Sequence, residues 1–402
     1  MVFAHGLYSW VDAATRESLH QFFRNGIEDN GLLYLSYNLL PGWDCLSFIK
    51  HQFSASLAET PDDPEDAARQ ALQRLIELRD AGALAFHHNQ AAIGFLNYLV
   101  EMDNLQYTVQ EFYGIDQQAF SFVEIHDTLQ KCGLSYAADA SLSENRLDLP
   151  IAEAGLDLLA QCPSEKELQS TKDLLQNRLF RRDIYIAGTP SKGIEKPNGQ
   201  ALDSIRLGIY GLSPRLPRSI RSTPGKSAEL DGDLVERLES GYKMRTFGIH
   251  DLMNDEEVKL EYDALVYNLL LLMTEEFIGP FSGEFRKLPQ RASSRIEIPR
   301  YNRVLLETPE EAHQKIFVAS RVTGSGLQLS PADALLLRAF EHENPAQWLV
   351  DQAPGVTGNH VGYESAIHDF FSSRAEIEAQ VADFHARLDA YLSLGVVESI
   401  AG

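Results

Sequence analysis

The sequence predicts a mixed, mainly α chain. A short strand–helix–strand piece comes first, a helical bundle follows, and winged-helix-like α+β domains close the chain. Three observations lead there. Val2-Phe3-Ala4 and Leu32 to Asn38 are apolar runs flanking a stretch of helical spacing. From Cys45 to about Ala140 the pattern reads as all helix. After Gly188, proline and glycine breakers alternate with short strand candidates and further helices.

The elements follow in order. Asp12 suits an N-cap, and Leu19, Phe22, Phe23, Gly26 and Ile27 fall at helical spacing after it. Asp29-Asn30-Gly31 ends that helix, with Gly31 placed for a left-handed cap. The order strand, helix, strand predicts a right-handed parallel crossover. Two parallel strands alone are not stable, because such strands are buried on both faces in known folds. This predicts a borrowed sheet, repurposed strands, or an N-terminal portion that these residues lack.

Leu40-Pro41-Gly42-Trp43 breaks the pattern. Helices are then predicted over Pro64 to Ala81, Ala91 to Tyr107, Phe120 to Leu134 and Glu165 to Arg182. The breaker-rich segment Gly188 to Gly225 holds a strand candidate, Ser204 to Gly211. Leu230 to Ser240 and Val258 to Phe277 return to helix, the second stopped by Gly279-Pro280. Ile296 to Leu306 reads as short strands. Ser330 to Phe340, Pro345 to Gln352 and Arg374 to Leu394 read as helices, and Gly395-Val396-Val397 as a closing strand.

Composition narrows the function classes. The 402 residues carry 35 basic and 58 acidic side chains, a net charge of −23, which disfavours general nucleic-acid and anionic-membrane binding. Cys45, Cys132 and Cys162 are scattered, which excludes a disulfide framework and a Cys-rich zinc site and fits a cytoplasmic setting. The longest apolar stretch, Ala264 to Met273, is about half the ~20 residues a membrane span needs, so it predicts a buried helix. Gly324-Ser325-Gly326 lacks a third glycine at the right place and predicts a turn. His87-His88 are adjacent and do not face one another on a helix. Arg206, Arg215, Arg218, Arg221 and Lys226 form an acid-free basic stretch. It predicts docking on an acidic neighbour rather than on nucleic acid.

Ligands of doubly wound sheets sit outside the carboxyl ends of parallel strands. That places the candidate site in the loops His5 to Trp10 and Ser36 to Trp43, with His5, Tyr8, Trp10, Tyr37 and Asn38 as its residues. Aromatic walls hold cationic or aliphatic chains, and Tyr, Asn and His orient an amine. The competing reading packs Tyr8, Trp10, Tyr37 and Trp43 under the bundle as core.

His5-Gly6-Leu7-Tyr8-Ser9-Trp10-Val11, Gly31 to Tyr37 and Ser36-Tyr37-Asn38-Leu39-Leu40-Pro41-Gly42-Trp43 resemble class I S-adenosylmethionine-dependent methyltransferases that carry a methyltransferase regulatory domain. So do Asp63-Pro64, Gly133 to Ala140 and Asn177 to Arg182. The resemblance implies that the opening strands are the C-terminal remnant of a Rossmann-like methyltransferase sheet, its fourth and fifth strands. It divides the chain into 1–44, a partial methyltransferase domain; 45–185, a helical regulatory domain; and 186–282 and 283–402, two winged-helix-like domains. It implies S-adenosylmethionine as cofactor, a protein lysine as acceptor, and a protein substrate or partner methyltransferase chain, and it admits a homodimer. No metal is expected. The glycine-rich cofactor loop and ribose-binding acid of such enzymes would lie upstream of Val2, so an N-terminally truncated form is expected. The family's acidic and histidine-rich positions correspond to Val109-Gln110-Glu111 and Phe122-Val123-Glu124. Two rival readings are a non-catalytic subunit of a methyltransferase and a winged-helix DNA-binding regulator.

Overall fold

The first two strands form the predicted parallel crossover. In the computed structural model, β1 (Val2–Ala4) lies beside β2 (Leu32–Asn38) with Val2, Phe3 and Ala4 opposite Leu33, Tyr34 and Leu35. The connecting helix α1 (Ala13–Gly26) starts at Asp12, whose carboxylate accepts from the Thr15 amide at 2.6 Å. The left-handed residue after it is Asn30 (φ 61°), not Gly31. Asparagine tolerates that conformation. Gly31 serves a close approach instead, its amide 2.7 Å from the Glu28 carbonyl.

The structure describes residues 1–87, 89–102, 104–114, 116–147, 151–188, 204–210, 215–223, 226–286, 295–307, 316–352 and 374–399. His88 lies outside them, as do the side chains of Arg221 and Lys226. The chain forms two units. Met1–Lys196 with Ser222–Gly225 make the first, and Pro197–Arg221 with Lys226–Gly402 the second.

In the first unit the opening strands gain neighbours from a region read as helix. β3 (Leu134–Asp139) and β4 (Phe180–Ala187) complete a four-stranded sheet of order β1-β2-β4-β3. β4 runs antiparallel to both β2 and β3, so the other three strands share a direction. Two expectations are corrected here: that Cys45 to Ala140 is all helix, and that Glu165 to Arg182 is one helix. The physical reasons are local. β3 is rich in alanine and carries a bulge between Tyr136 and Ala138, which breaks the alternation a strand normally shows. β4 opens Phe-Arg-Arg-Asp, which reads as a solvated helix surface until its partners are known. Asn177, at φ 49°, ends the preceding helix in a left-handed cap.

The helices of this unit are α2 (Ser47–Glu59), α3 (Pro64–Asp80), α4 (Leu84–His87), α5 (Gln90–Met102), α6 (Leu105–Tyr113), α7 (Phe122–Lys131), α8 (Glu153–Leu159) and α9 (Glu165–Gln176). The single helix expected over Ala91 to Tyr107 is two, because Asn104 caps α6 by accepting from the Tyr107 amide at 2.7 Å. Helices α2 to α6 enclose an apolar core in which the Phe53 and Phe112 rings stack at 4.3 Å. α1 and α7 pack on one face of the sheet, over Ala4, Leu33, Leu35 and Tyr37.

That covered face also holds a buried charge network. Arg181, fully buried, uses all five of its N–H groups. Nε donates to Asp183 at 2.9 and 3.2 Å, Nη1 to both Asp173 oxygens at 2.8 and 2.9 Å, and Nη2 to Gln169 at 2.9 Å and Tyr136 at 3.2 Å. The Phe122 ring lies 4.4 Å from the guanidinium carbon, and Tyr37 donates its hydroxyl to Asp183 at 2.7 Å. Beside it, Arg178 pairs with Asp139 at 2.8 Å and buried Lys172 with Glu144 at 3.2 Å.

In the second unit, β5 (Leu207–Ile209) pairs antiparallel with β8 (Ile278–Pro280). Gly279-Pro280 therefore lie in a strand. The preceding helix stops earlier, at Thr274, with Glu276 at φ 56°. β6 (Ser219–Thr223) pairs with β7 (Lys226–Glu229). α10 (Gly232–Gly241), α11 (Ile249–Met253) and α12 (Tyr262–Thr274) follow. α12 carries the long apolar stretch, with Leu265, Leu269, Leu271 and Leu272 buried. β9 (Ile296–Glu297) leads into α13 (Arg300–Glu307), a helix where short strands were expected. Its Asn302 and Leu306 face inward at helical spacing, while Tyr301, Val304 and Leu305 are exposed. β10 (Ile316–Ala319) and β11 (Gly326–Leu329) form a hairpin, with Gly324 at φ 72° in its turn. α14 (Pro331–Ala339), α15 (Pro345–Gln352), α16 (Arg374–Ser393) and β12 (Glu398–Ser399), antiparallel to β9, complete the chain.

The Arg181 network gives a stability prediction. Arg181→Met leaves the Asp173 and Asp183 carboxylates buried without their cation, a loss of about 3–5 kcal/mol. Urea unfolding of the first unit should show the drop. A loss under ~1 kcal/mol, the value of an exposed pair, would show that the network does not hold the sheet.

Candidate functional site

The parallel pairing sets the carboxyl ends of β1 and β2 side by side, so the loops after them meet. Two serines lock the meeting. The Gly6 amide donates to Ser36 Oγ at 2.9 Å, and the Asn38 amide donates to Ser9 Oγ at 2.8 Å. The Ser9 carbonyl accepts from the Gln118 amide at 2.8 Å, fastening the first loop to the segment before α7. Gly42, in the second loop, abuts the Arg178 carbonyl so closely that a Cβ would overlap it.

The five sequence candidates separate by depth. His5 is exposed, its Nδ1 2.9 Å from the Tyr34 hydroxyl and its ring edge-on to Phe180 at 6.2 Å. Trp10 is half-buried against Gly114. Asn38 is buried, and its Nδ2 has no hydrogen-bond partner among the described residues. Tyr8 lies beneath, its hydroxyl 2.8 Å from His20 Nε2, and burial pushes that hydroxyl up to about 12. Tyr37 belongs to the Arg181 network, where burial first, and then the Asp183 charge, raise its hydroxyl well above the usual range. The structure therefore brings His5 and Trp10 to a rim, buries Asn38 just beneath it, and places Tyr8 and Tyr37 in the core below. Trp43 packs into the helical bundle, 6.2 Å from Phe95.

The other face of the sheet is more open. Along β4 the odd-numbered residues from Arg181 to Ala187 are buried, while Phe180, Ile184 and Ile186 are half-exposed and Arg182 is exposed. Tyr34 on β2 is half-exposed on this face, and Phe3 on β1 is 67% exposed. Among the described residues β1 is paired only on its β2 side. The site rim thus borders an apolar sheet face and a free strand edge.

One buried acid near the rim and its partners were not legible as a group in the sequence. Glu111 on α6 is buried, and its carboxyl is pushed up to about 7 by burial, against the opposing effects of the Tyr107 hydroxyl and the Lys50 charge. Lys50 donates to the Gln117 carbonyl at 3.2 Å and to the Gln117 side chain. Gly114 and Gln118, on either side of Gln117, touch Trp10 and Ser9. Only the i, i+4 spacing of Tyr107 and Glu111 was available as a signal; Lys50 lies on another helix. Glu124 acts as the capping-box acid of α7, and Asp127 pairs with Lys166 at 2.9 Å. Among the described residues no three or more His, Cys, Asp or Glu side chains are grouped to hold a metal ion. Of the basic stretch, Arg206 pairs with Asp251 at 2.6 Å and Arg218 donates to the Gly232 carbonyl at 2.7 Å.

The rim does not make a complete nucleoside cradle. No glycine-rich turn follows β1 or β2, and Asp12, the acid nearest to β1 in the chain, is engaged in capping α1. No described helix is long and apolar enough to cross a membrane.

Comparison with known proteins gives similarities of sequence and fold. Residues 104–187 match a family model described as a predicted methyltransferase regulatory domain. The chain is 23% identical over 359 residues to the uncharacterised protein sll1526 of Synechocystis, covering 89% of this chain and 69% of that one. It is 22% identical over 202 residues to the uncharacterised protein RP789 of Rickettsia prowazekii, covering 46% of this chain and 33% of the other. Among solved structures, PKMT2 from Rickettsia typhi is similar with a TM-score of 0.64 at 13% identity, over 98% of this chain and 80% of that chain. The same protein in complex with AdoHcy gives a TM-score of 0.60 at 14% identity, over 97% and 78%.

The raised Glu111 carboxyl makes a pH prediction. Its pKa is higher folded than unfolded, so the folded state binds more protons across the window between them. Stability therefore falls as pH rises from about 4.5 to about 7, and levels off above. Glu111→Gln should flatten that slope and raise stability at pH 8 by on the order of 2–3 kcal/mol. Urea midpoints across the window check it, and an unchanged slope would mean that Glu111 is not the group titrating.

Proposed function

From a chain that carries a methyltransferase regulatory domain and shares the fold of Rickettsia typhi PKMT2, we propose that these residues form the acceptor-side end of an S-adenosylmethionine-dependent methyltransferase acting on protein lysine. The observation that carries this is the β1–β2 parallel crossover, with its two loops locked together, at the free edge of a sheet whose second face is open. A parallel strand pair such as β1–β2 is covered on both faces in such folds. Further strands pairing with β1, and a cover over Phe3 and Tyr34, complete that arrangement. Those strands bring the cofactor cradle that the rim lacks. Whether they come from the same polypeptide or from a partner chain separates the enzyme reading from the subunit reading.

In this reading each rim residue has a positioning role. Ser9 and Ser36 hold the two loops in register. The unpartnered Nδ2 of Asn38, buried just beneath the rim, is a donor still to be satisfied among the described residues. Trp10 gives an apolar wall for a lysine stem, and His5, steadied by Tyr34, stands at the entrance. Tyr8 and Tyr37 act from below by fixing the loops. In the second unit, the β10–β11 hairpin among α13 to α16 supports the winged-helix-like reading of the C-terminal region.

Calorimetric titration of the 402-residue chain with S-adenosylmethionine should show no micromolar binding. Micromolar affinity would overturn the assignment of the cradle to other strands. With the sheet completed, Asn38→Ala should lower kcat/KM for lysine methylation by about tenfold while cofactor affinity is kept. Unchanged kinetics would remove Asn38 from the acceptor site.

A further inference from the structure

The stretch 117–120, between α6 and α7, is hydrogen-bonded to both site loops. It reaches the first through the Gln118 amide, which donates to the Ser9 carbonyl at 2.8 Å. It reaches the second twice. The Phe120 amide donates to the Asn38 carbonyl at 2.9 Å, and the Leu40 amide donates to the Phe120 carbonyl at 3.0 Å, so that Leu39 and Phe120 form a parallel bridge. These residues fall inside 104–187, the part that matches the regulatory-domain model. That part of the chain is thus bonded directly to both halves of the candidate site.

Two cations pin the stretch from separate helices. Arg16 on α1 donates from Nη2 to Gln118 Oε1 at 2.8 Å and from Nη1 to the Val11 carbonyl, and its guanidinium carbon lies 5.2 Å from the Phe120 ring centre. Lys50 on α2 donates to the Gln117 carbonyl at 3.2 Å and to the Gln117 side chain. Lys50 is half-buried; burial depresses its ammonium below the usual range, and the Glu111 charge opposes that effect. A plain connector needs its buried backbone groups satisfied, and the two loops already do this. Charged donors from two further helices are not needed for that purpose. Their hydrogen bonds are roughly twice as strong as neutral ones, so they fix where the stretch sits. A shift of 117–120 would carry Ser9 and Asn38 with it, because both are bonded to its backbone.

We propose that 117–120 transmits the position of α2 to the two site loops, with Lys50 and Arg16 as positioning residues. The inference rests on the methyl-transfer reading only in taking those loops as the acceptor site.

The test is hydrogen exchange of the 402-residue chain followed by mass spectrometry. Among the described residues Lys50 donates to Gln117 and to neither loop. Lys50→Met should nevertheless speed exchange of 5–10, where the Gly6 and Trp10 amides are hydrogen-bonded, by about tenfold. Helix α3, packed against α2, should exchange as in the unaltered chain. Lys50→Arg keeps a charged donor and should restore slow exchange. Arg16→Met approaches from the other side and should speed exchange of 36–40 by about tenfold; it also decides the matter if Lys50→Met fails to fold. Unchanged exchange of the distant loop overturns the proposal, as does a change confined to 116–119. So does faster exchange of α3 to the same degree, which would mean general loosening. Methylation is not read in this experiment, so a failure of the acceptor-site reading in the kinetics leaves the exchange result standing, and the converse holds.

Discussion

Arg181 lies where three parts of the first unit meet. Its guanidinium joins β4 to α9 through Asp173 and Gln169, and to β3 through Tyr136. Asp183 carries the connection on to Tyr37 of β2. A buried cation is tolerated only when its charge and every donor are matched, and here all five N–H groups have partners. The match depends on register: a one-residue slip of β4 would carry Arg181 to the open face and Arg182 into the core. The network therefore specifies which face of β4 turns inward, and with it the placing of β2.

The position of β2 then sets the candidate site. Tyr37 is held below by Asp183, and Asn38 above is held by Ser9, so the chain turns out of the strand in one direction. The first loop is fixed by the same contacts and by Gln118. Structural and functional readings of the aromatic residues are thus complementary. Tyr8 and Tyr37 serve as core supports, which leaves His5 and Trp10 at the surface they define, with Asn38 buried just beneath.

The sheet is two-sided in a way that bears on function. One face is sealed by α1 and α7 and by the Arg181 network, while the other carries half-exposed Tyr34, Phe180, Ile184 and Ile186. Apolar strand residues left open beside an unpaired edge invite a partner. The second unit holds a concavity of a different kind. It is lined mostly by polar side chains, with Arg303 paired to Glu341.

Local chemistry carried much of this in the sequence. Capping at Asp12, the apolar periodicity of α3, the apolar stretch of α12 and the turn at Gly324 are short-range signals, and these elements formed where the signals agreed. The parallel crossover was legible too, because an apolar strand on each side of one helix leaves few alternatives. Three things were decided only by tertiary structure: that Phe180–Ala187 and Leu134–Asp139 are strands, that Glu111 and Lys50 meet, and that Arg338 joins Arg295 and Arg303 around one cavity. The reason is common to all three. A charged residue in isolation reads as solvated, and it becomes core or site only when groups from distant elements supply its counter-charge and its hydrogen bonds.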